Sequence, residues 1–503
     1  MKEHALFILV MALDNDLDAV AKPLFAEHGT GKPISIENYL VETNLDCANK
    51  WMAAIHNVSH EWRESNVDES TSEYDLPATI LVCTKPDVIG LDKEKIIQKA
   101  VDKILDTFDS YGCGSHIVKT FIIDNTKFED AEIHRLRETI FFTCQDILRK
   151  KNEIPINWVR LEIALAFRMK SKPYITYEEL EELGKLVGVN ETLPQAVQFL
   201  HEQNVVFHFP DSGSASSLVV LNLEWLMKTF TSVINVPPNS EKSPNIRKFW
   251  KCLSDRGQLS KKLLRHLLRD HGKHVEALIG MMEMVNLICR WDDEIWLVPS
   301  MAIPKRRKEE LGKLLKACCL PSLYLEFDGG YIPLGLFTRL QVILFRMYRI
   351  LFSEPPCLSC HSSIFDVEAG DLIYCIILAQ HLSRIQIALC GKTCPIPQDL
   401  VVEIALRLKS SLREAIEEIR PTSPVYKGLK YQFAVKCKCG LKKFEKCPRH
   451  QLSDCSSEDC TPLVLICNST PRCSLCQHLL DDKITTPWIK RDGKYFTCVA
   501  CTC

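Results

Sequence analysis

The stretch ATILVCTKPD, residues 78–87, joins a short apolar run to a polar turn. Its first six residues, Ala78–Cys83, are apolar or β-branched, a pattern typical of a buried β-strand. Similar runs lie at Leu6–Met11 and His116–Ile123, and each is followed by a longer charged segment with helical spacing. This alternation predicts a parallel sheet covered by helices, with ligands at the carboxyl ends of the strands.

The turn after this run, Thr84-Lys85-Pro86-Asp87, resembles the guanine-specificity motif of small GTPases, whose usual form is Asn/Thr-Lys-x-Asp. The Asp87 carboxylate can accept hydrogen bonds from N1 and N2 of guanine, and the aliphatic stem of Lys85 can lie along the base. A Pro-Asp turn after a strand is also ordinary loop chemistry. These four residues by themselves leave both interpretations open.

A phosphate-binding loop is absent from the sequence, because no Gly-x-x-x-x-Gly-Lys-Ser/Thr occurs in it. Such a loop supplies backbone amides, a phosphate-binding lysine and a Mg²⁺-binding hydroxyl. The stretch Gly29–Pro33 is superficially similar, but Pro33 takes the place of the hydroxyl residue and no strand precedes it. We therefore expect that the nucleotide-binding half-domain has decayed or that the sequence begins within a longer chain.

The composition is typical of a globular protein with several domains. The 503 residues predict about three domains, and 46% apolar with 25% charged residues allow sizeable cores. Because 62 Lys and Arg oppose 64 Asp and Glu, the net charge of −2 gives no overall field that would attract nucleic acid or an anionic membrane. The sequence opens without a charged leader, and polar residues interrupt its most apolar stretches, Gln341–Phe352 and Asp371–Cys390. These features favour a cytoplasmic protein without a transmembrane helix.

From residue 154 onward the pattern changes to helical segments with short strands. Three predicted helices and then two strands lie at Pro155–Ser171, Thr176–Leu186, Leu193–Gln203, Val205–His208 and Leu218–Leu221, before a helix from Glu224. This order is typical of a winged helix. The recognition-helix position, Glu191–Asn204, contains two glutamates and no lysine or arginine. The module is therefore expected to pack against protein rather than bind DNA.

Five short motifs follow one another in the middle of the chain. They are Ile156–Trp158 (INW), Phe199–Phe209 (FLHEQNVVFHF), Val219–Leu226 (VVLNLEWL), Trp296–Ser300 (WLVPS) and Tyr331–Leu340 (YIPLGLFTRL). Their order resembles the Roc–COR module of the ROCO family, the large multidomain Ras-like proteins that include leucine-rich-repeat kinases. The last motif looks like the signature that opens the second COR subdomain. Thr84–Asp87 lies at the expected upstream place, which favours the guanine interpretation of that turn.

The resemblance implies different roles for the two parts. In that family Roc binds GTP, whereas COR mediates dimerisation and couples the nucleotide state to neighbouring domains. The resemblance also implies that Thr84, Lys85 and Asp87 are guanine contacts and that Asn125 or Thr126 lies in the next base-contacting loop. Phosphate and Mg²⁺ contacts supply most of the affinity and the catalysis, so base contacts alone predict weak GTP or GDP binding at best. We expect no catalytic residue and no GTP hydrolysis, unless the full protein holds the missing P-loop half.

Cysteines are concentrated at the end of the sequence, where residues 437–503 hold 11 of the 24. Four short motifs present paired ligands: Cys437-x-Cys439, Cys447-x-x-His450, Cys473-x-x-Cys476 and Cys498-x-x-Cys501. One such pair presents two donors from a single turn, and two pairs complete a tetrahedral zinc shell. We therefore predict structural Zn²⁺ held by these eight residues. Other partitions remain open, with His478, Cys455, Cys460, Cys467 and Cys503 as further ligands. Disulfides, which are typical of secreted modules, and free thiols are the alternatives to zinc.

A locally basic stretch overlaps the first of these motifs. Residues 426–450 carry eight Lys or Arg and one Glu, a local net charge of +7. A nucleic-acid or acidic-lipid patch is one interpretation. The favoured one is a solvated surface whose charge offsets that of zinc-bound thiolates.

We therefore predict a multidomain α/β and α+β protein with four parts. These are a truncated Roc-like domain with a partial parallel sheet (1–152), a winged-helix-like first COR subdomain (153–306), an α+β second COR subdomain (317–430) and a cysteine-rich zinc-binding end (431–503). The expected function is intracellular signalling or scaffolding through COR-mediated homodimerisation and binding of other signalling proteins. One alternative is a GTP-binding GTPase regulator whose phosphate-binding half lies outside this sequence. A second is a zinc-dependent nucleic-acid-binding protein, although nucleic acid is not the expected partner.

Overall fold

A computed structural model of the chain divides into two compact units. The first comprises Met1–Arg149, Pro304–Cys357 and His361–Cys503, and the second comprises Lys150–Ile303 and Leu358–Cys360. The structure describes residues 5–14, 16–19, 21, 42–58, 74–89, 92–127, 130–149, 154–210, 213–234, 243–301, 307–316, 318, 320–348, 357–359, 361–369, 372–391, 398–422, 424–437, 458–466 and 488.

The chain begins with a three-stranded parallel sheet, which confirms the predicted parallel sheet. Its strands are β1 (Leu6–Ala12), β2 (Ala78–Thr84) and β3 (Ile117–Ile123), in the order β1-β2-β3. The helices are α1 (Asn44–Val58), α2 (Lys93–Ser110) and α3 (Ala131–Arg149).

The central strand β2 is buried on both faces, as in other helix-covered parallel sheets. Leu81 and Cys83 pack with residues of α1 and α2. Ile80 and Val82 point to the opposite face, where they pack with Ile133 and other residues of α3. The period of two along a strand thus divides one apolar run between two helical layers.

The second unit opens with a helix-strand-helix-helix-strand pattern. Its elements are α4 (Ile156–Met169), β4 (Tyr174–Thr176), α5 (Tyr177–Val187), α6 (Leu193–Glu202) and β5 (Leu218–Val220). Strands β4 and β5 are antiparallel, and Phe207 adds a single bridge to Val220. The Thr176 side chain caps α5 in a capping box with Glu179, and Asn204 takes a left-handed φ of 55° just after α6.

The same pattern occurs again further along the unit, after the connecting helix α7 (Leu223–Val233). Its elements are α8 (Pro244–Arg256), β6 (Gln258–Ser260), α9 (Lys261–Leu267), α10 (Val275–Met284), β7 (Cys289–Arg290) and β8 (Ile295–Leu297). Ser260 caps α9 as Thr176 caps α5, and Asn286 after α10 has a φ of 53°. The unit therefore contains one supersecondary pattern twice.

The chain also forms a seven-stranded sheet in the order β10-β11-β12-β13-β9-β14-β15, most of it within the first unit. The strands are β9 (Leu323–Phe327), β10 (Cys357–Leu358), β11 (Ser362–Ala369), β12 (Leu372–Gln380), β13 (Arg384–Gly391), β14 (Tyr431–Lys436) and β15 (Leu463–Leu465). The helices are α11 (Arg307–Lys316), α12 (Leu336–Tyr348), α13 (Gln398–Ile419) and α14 (Pro424–Lys427).

Helices cover this sheet. Leu311 of α11 belongs to a core cluster with Ile377 of β12 and Ala388 of β13. Helices α12 and α13 pack against each other, and the Tyr348 hydroxyl lies 3.2 Å from the Ser411 hydroxyl. None of the helices in the described ranges is long and apolar enough to cross a membrane.

Candidate functional site

The first candidate site lies where the three parallel strands end side by side. Thr84 is the last residue of β2 and pairs in register with Ala12 of β1 and Ile123 of β3. Its carbonyl accepts a hydrogen bond from the backbone N–H of Leu13 at 2.9 Å. Thr84 thus fastens the ends of β1 and β2 together and carries the predicted turn.

Lys85 has a left-handed backbone with φ 59° and ψ 41°, which is uncommon for a residue with a β-carbon. Its ammonium lies 2.6 Å from Oδ2 of Asp14, two residues beyond β1. The lysine stem therefore spans the ends of two neighbouring strands. Asp87 follows in a single 3₁₀ turn, Pro86–Val88, and its side chain is exposed to solvent.

Asn125 lies at the tip of the next loop, after β3, and is also exposed. The loop is shaped by Asp124, whose Oδ1 accepts hydrogen bonds from the Thr126 amide at 3.1 Å and the Thr126 hydroxyl at 2.5 Å. The Thr126 hydroxyl is the main reason why the pKa of Asp124 is lowered. Asp130 closes the loop by accepting from the backbone N–H groups of Asp124 and Glu132, each at 2.9 Å.

The structure thus brings Lys85, Asp87 and Asn125 to one edge of the sheet as exposed polar side chains. A carboxylate, an aliphatic stem and an amide there suit the edge and face of a guanine base. The two loop-shaping aspartates were not among the predicted residues. The sequence offers one sign of them: Asp124 directly follows an apolar strand, a position where aspartate often forms an Asx turn.

A second candidate site joins helix α1 to the loop after β9, within the first unit. The Tyr331 hydroxyl donates to Oδ1 of Asp46 at 2.9 Å and accepts from Nδ2 of Asn49 at 3.1 Å. All three side chains are at least nine-tenths buried. Oδ2 of Asp46 accepts from the Thr43 amide at 3.0 Å and hydroxyl at 2.9 Å, so one carboxylate holds both the start of α1 and Tyr331.

Two glycines allow this close approach. A β-carbon on Gly330, whose φ is 70°, would lie 2.3 Å from the ring of Tyr111, and one on Gly329 would lie 3.5 Å from Ala53 of α1. The rings of Tyr111 and Tyr331 are in edge contact, with centroids 5.2 Å apart. A larger residue at position 330 would therefore displace the tyrosine pair.

The YIPLGLFTRL motif continues from Tyr331 into α12. Gly335 has a φ of 76°, and the Tyr426 hydroxyl of α14 donates to the Leu334 carbonyl at 2.6 Å. Arg339 lies over the Tyr426 ring, 5.1 Å from its centroid, and donates to the Thr422 hydroxyl at 2.6 Å. Burial raises the pKa of Tyr426. The motif thus fixes the start of α12 against α14.

Of the eight predicted zinc ligands, Cys437 is within the described ranges, whereas Cys439, Cys447, His450, Cys473, Cys476, Cys498 and Cys501 lie outside them. Cys437 directly follows β14, is buried, and donates its backbone N–H to the Pro462 carbonyl at 2.9 Å. No group of three or more His, Cys, Asp or Glu side chains suited to a metal occurs among the residues that the structure describes.

Comparison with protein-family models finds a match in the second unit. Residues 155–302 match the family described as "C-terminal of Roc, COR-A domain". The match begins one residue before α4 and ends just after β8, so it contains both copies of the repeated pattern. It confirms the resemblance to a Roc–COR module.

Proposed function

Because the chain carries the COR-A domain that follows Roc, we propose that it is a cytoplasmic signalling or scaffold protein of the ROCO type. It acts by binding other proteins and by forming homodimers, as the Roc–COR resemblance implies. Its truncated Roc-like domain (1–152) positions protein partners and has at most a residual ability to bind guanine nucleotide.

The part of this proposal that concerns coupling rests on the buried contact between Tyr331 and helix α1. Hydrogen bonds to a buried carboxylate are stronger than neutral ones, and breaking them leaves polar groups without water. Asp46, Asn49 and Tyr331 therefore hold α1 to the seven-stranded sheet. A shift of α1 must move that sheet with it or break this cluster.

Several hydrogen bonds lie between the turn Thr84–Asp87 and this contact. Lys85 pairs with Asp14, and Asp16 and Leu17 accept hydrogen bonds from the start of α1. The Asn44 amide side chain donates to the Asp16 carbonyl at 2.8 Å, and the Leu45 N–H donates to the Leu17 carbonyl at 3.1 Å. One residue further, Asp46 reaches Tyr331. These contacts support a coupling between the turn Thr84–Asp87 and the seven-stranded sheet. Such coupling of Roc to its neighbouring domains is the role that the resemblance implies for COR.

Helix α4 of the COR-A domain supports a role in protein binding. Ile156, Ile163 and Phe167 lie on one face of this helix and are 64%, 65% and 73% exposed. Exposed apolar side chains that form a stripe are typical of protein-interaction surfaces. Lys170, 5.8 Å from the Phe167 ring centroid, adds a cation at the edge of the stripe.

A nucleic-acid-binding function has weaker support. The repeated helix and strand order supports the winged-helix interpretation, in which the third helix would enter a DNA groove. The third helices here, α6 and α10, contain no lysine or arginine. Affinity for nucleic acid depends on such cations, so protein packing is the better interpretation.

The closing part of the proposal is a structural Zn²⁺ at the cysteine-rich end. It rests on the spacing of the paired ligands in sequence and on the burial of Cys437 at the end of β14. The zinc would stabilise the fold and take no part in a reaction.

Dimerisation is tested by light scattering on the full chain during size-exclusion chromatography, over a hundredfold range of concentration. The expected mass is twice the 57.4 kDa of one chain. A monomer at every concentration would contradict the homodimer proposal. A parallel series with Mg²⁺-GTP is expected to give the same masses, and a nucleotide-dependent shift would show that this chain couples guanine nucleotide to its oligomeric state.

A further inference from the structure

Two buried cysteines lie side by side in the seven-stranded sheet. Cys375 of β12 and Cys390 of β13 are direct partners in the antiparallel register, and they are 2% and 4% exposed. Both are thiols, and they belong to one core cluster with Leu311 of helix α11. Because directly opposite residues of an antiparallel pair point to the same face of the sheet, the two sulfurs share one side of the hairpin.

The spacing of such a pair is close to what a disulfide needs. Directly opposite residues have α-carbons about 4.5 or 5.5 Å apart, within the range of about 4.4–6.8 Å that disulfides span. Their β-carbons lie about 4.5–5.5 Å apart, against about 3.5–4.5 Å in a disulfide. A small approach of the two strands therefore suffices to bring Cys375 and Cys390 into bonding geometry.

A carboxylate lies on the other side of Cys375. Asp366 of β11 is the direct register partner of Cys375, and the Cys375 thiol donates to Oδ1 of Asp366 at 2.9 Å. Asp366, Cys375 and Cys390 therefore form a row across three neighbouring strands. Rotation about the Cα–Cβ bond of Cys375 moves its sulfur from the carboxylate towards Cys390. The carboxylate is then in place to accept the proton that the thiol gives up.

From this row we propose that Cys375 and Cys390 are a redox modification site, which forms a reversible disulfide when the chain meets a hydroperoxide. One thiol attacks the hydroperoxide: an S–O bond forms, the O–O bond breaks, and the thiol proton leaves with the displaced oxygen as an alcohol or as water. The second sulfur attacks the resulting sulfenic acid, so that an S–S bond forms, the S–O bond breaks and water leaves. Two thiols and one hydrogen peroxide thus give one disulfide and two waters.

The disulfide would fasten the open end of the β12–β13 hairpin. The pair Cys375–Cys390 lies one step from the last pair of that ladder, Tyr374–Gly391, and far from the turn that joins the strands. Disulfides of cytoplasmic proteins are typically transient and redox-sensing, which suits a reversible link of this kind. The site is separate from the guanine-type turn and from the proposed zinc, so it gives the scaffold an independent response to oxidation.

Peptide mapping of the full chain tests the proposal. The chain is reduced with a phosphine, freed of the reductant, treated with hydrogen peroxide and alkylated before digestion. We expect Cys375 and Cys390 to be recovered mainly as one linked peptide that dithiothreitol separates. Cys83 and Cys113 are the matched control, because they are buried in one cluster while Ile122 is the β3 register partner of Cys83. They should be recovered unlinked.

Two variants and a denaturant identify the cause of the link. Cys390→Ser should abolish the linked peptide, whereas Cys318→Ser removes a partly buried thiol packed against the same cluster and should leave the link in place. In concentrated urea the link should lose its selectivity, because the strand register that aligns the sulfurs is gone. The wild-type map does not depend on how the variants fold. Wild-type Cys375 and Cys390 recovered unlinked, Cys318 as the main partner of either, or an equal yield of their link in urea would each overturn the proposal.

Discussion

Tyr331 shows how a single hydroxyl can join two parts of a chain. It donates to Asp46 and accepts from Asn49, and both partners lie more than 280 residues earlier in the sequence. None of the three has enough access to water to replace a lost partner.

Tyr331→Phe should destabilise the contact by about 1–3 kcal/mol, because it removes one partner from each of two buried polar groups. The matched control is Tyr348→Phe, which removes a hydroxyl that lies beside Ser411 elsewhere in the same unit. Hydrogen–deuterium exchange is the measurement. Faster exchange in α1 is expected for Tyr331→Phe alone, and unchanged exchange in α1 would contradict the role assigned to this contact.

Two histidines of the COR-A domain should make it sensitive to pH. His201 Nδ1 accepts a hydrogen bond from the backbone N–H of His208 at 3.3 Å. The His208 ring donates from Nε2 to the Ser216 carbonyl at 3.0 Å. Burial lowers the pKa of both imidazoles below the ordinary value of about 6.5. The unfolded chain therefore binds protons more readily, so stability falls as pH drops below about 6.5 and levels off below the folded pKa.

The prediction is faster hydrogen exchange in residues 193–220 at pH 5.5 than at pH 7.5, after correction for intrinsic rates. His201→Gln should reduce this difference, because it removes one depressed group. His134→Gln, at an exposed position on α3, is the control and should leave the difference intact. An equal pH effect in all three proteins would assign the sensitivity to other groups.

At the scale of elements, the repeated pattern explains which parts of the COR-A domain could be predicted from sequence. In the first copy, apolar residues recur at helical spacing over three segments, and the predicted helices lie within a few residues of the observed ones. The strands of both copies are only two or three residues long, as β4 and β6 show. Strands this short give no usable alternation, so the repetition becomes visible only in the structure.

The two copies share a feature that can be tested. Asn204 and Asn286 follow the third helices with left-handed φ values of 55° and 53°, a conformation that asparagine tolerates better than alanine. Asn204→Ala and Asn286→Ala should each cost about 1–2 kcal/mol. Asn204→Gly and Asn286→Gly should be nearly neutral.

Urea unfolding followed by a COR-A tryptophan signal measures these effects. The difference between alanine and glycine at one position isolates the backbone, because both substitutions remove the amide side chain. If the alanine and glycine variants had equal midpoints, the left-handed conformation would carry no cost and the two asparagines would act through their side chains.

At the scale of the whole molecule, the contact at Tyr331 lay beyond the reach of sequence reasoning. The parallel sheet and the COR-A domain follow from local patterns and ordered motifs. The Asp46–Tyr331 bond joins residues 285 positions apart, and periodicity carries no information about such pairs. A weak sign was present in Gly329-Gly330, because two glycines before a large aromatic residue suggest close backbone approach.

The whole molecule also determines whether guanine nucleotide can bind and be hydrolysed. The exposed Lys85, Asp87 and Asn125 offer contacts to a base, while the sequence has no P-loop to hold phosphate and Mg²⁺. Because those contacts supply most of the affinity, millimolar Mg²⁺-GTP should produce no thermal shift and no released phosphate. A clear shift that is lost in Asp87→Ala, but kept in the exposed surface control Asp106→Ala on α2, would replace the scaffold proposal with a GTP-binding one. An equal shift with Mg²⁺-ATP would instead indicate anion binding unrelated to the guanine-type turn.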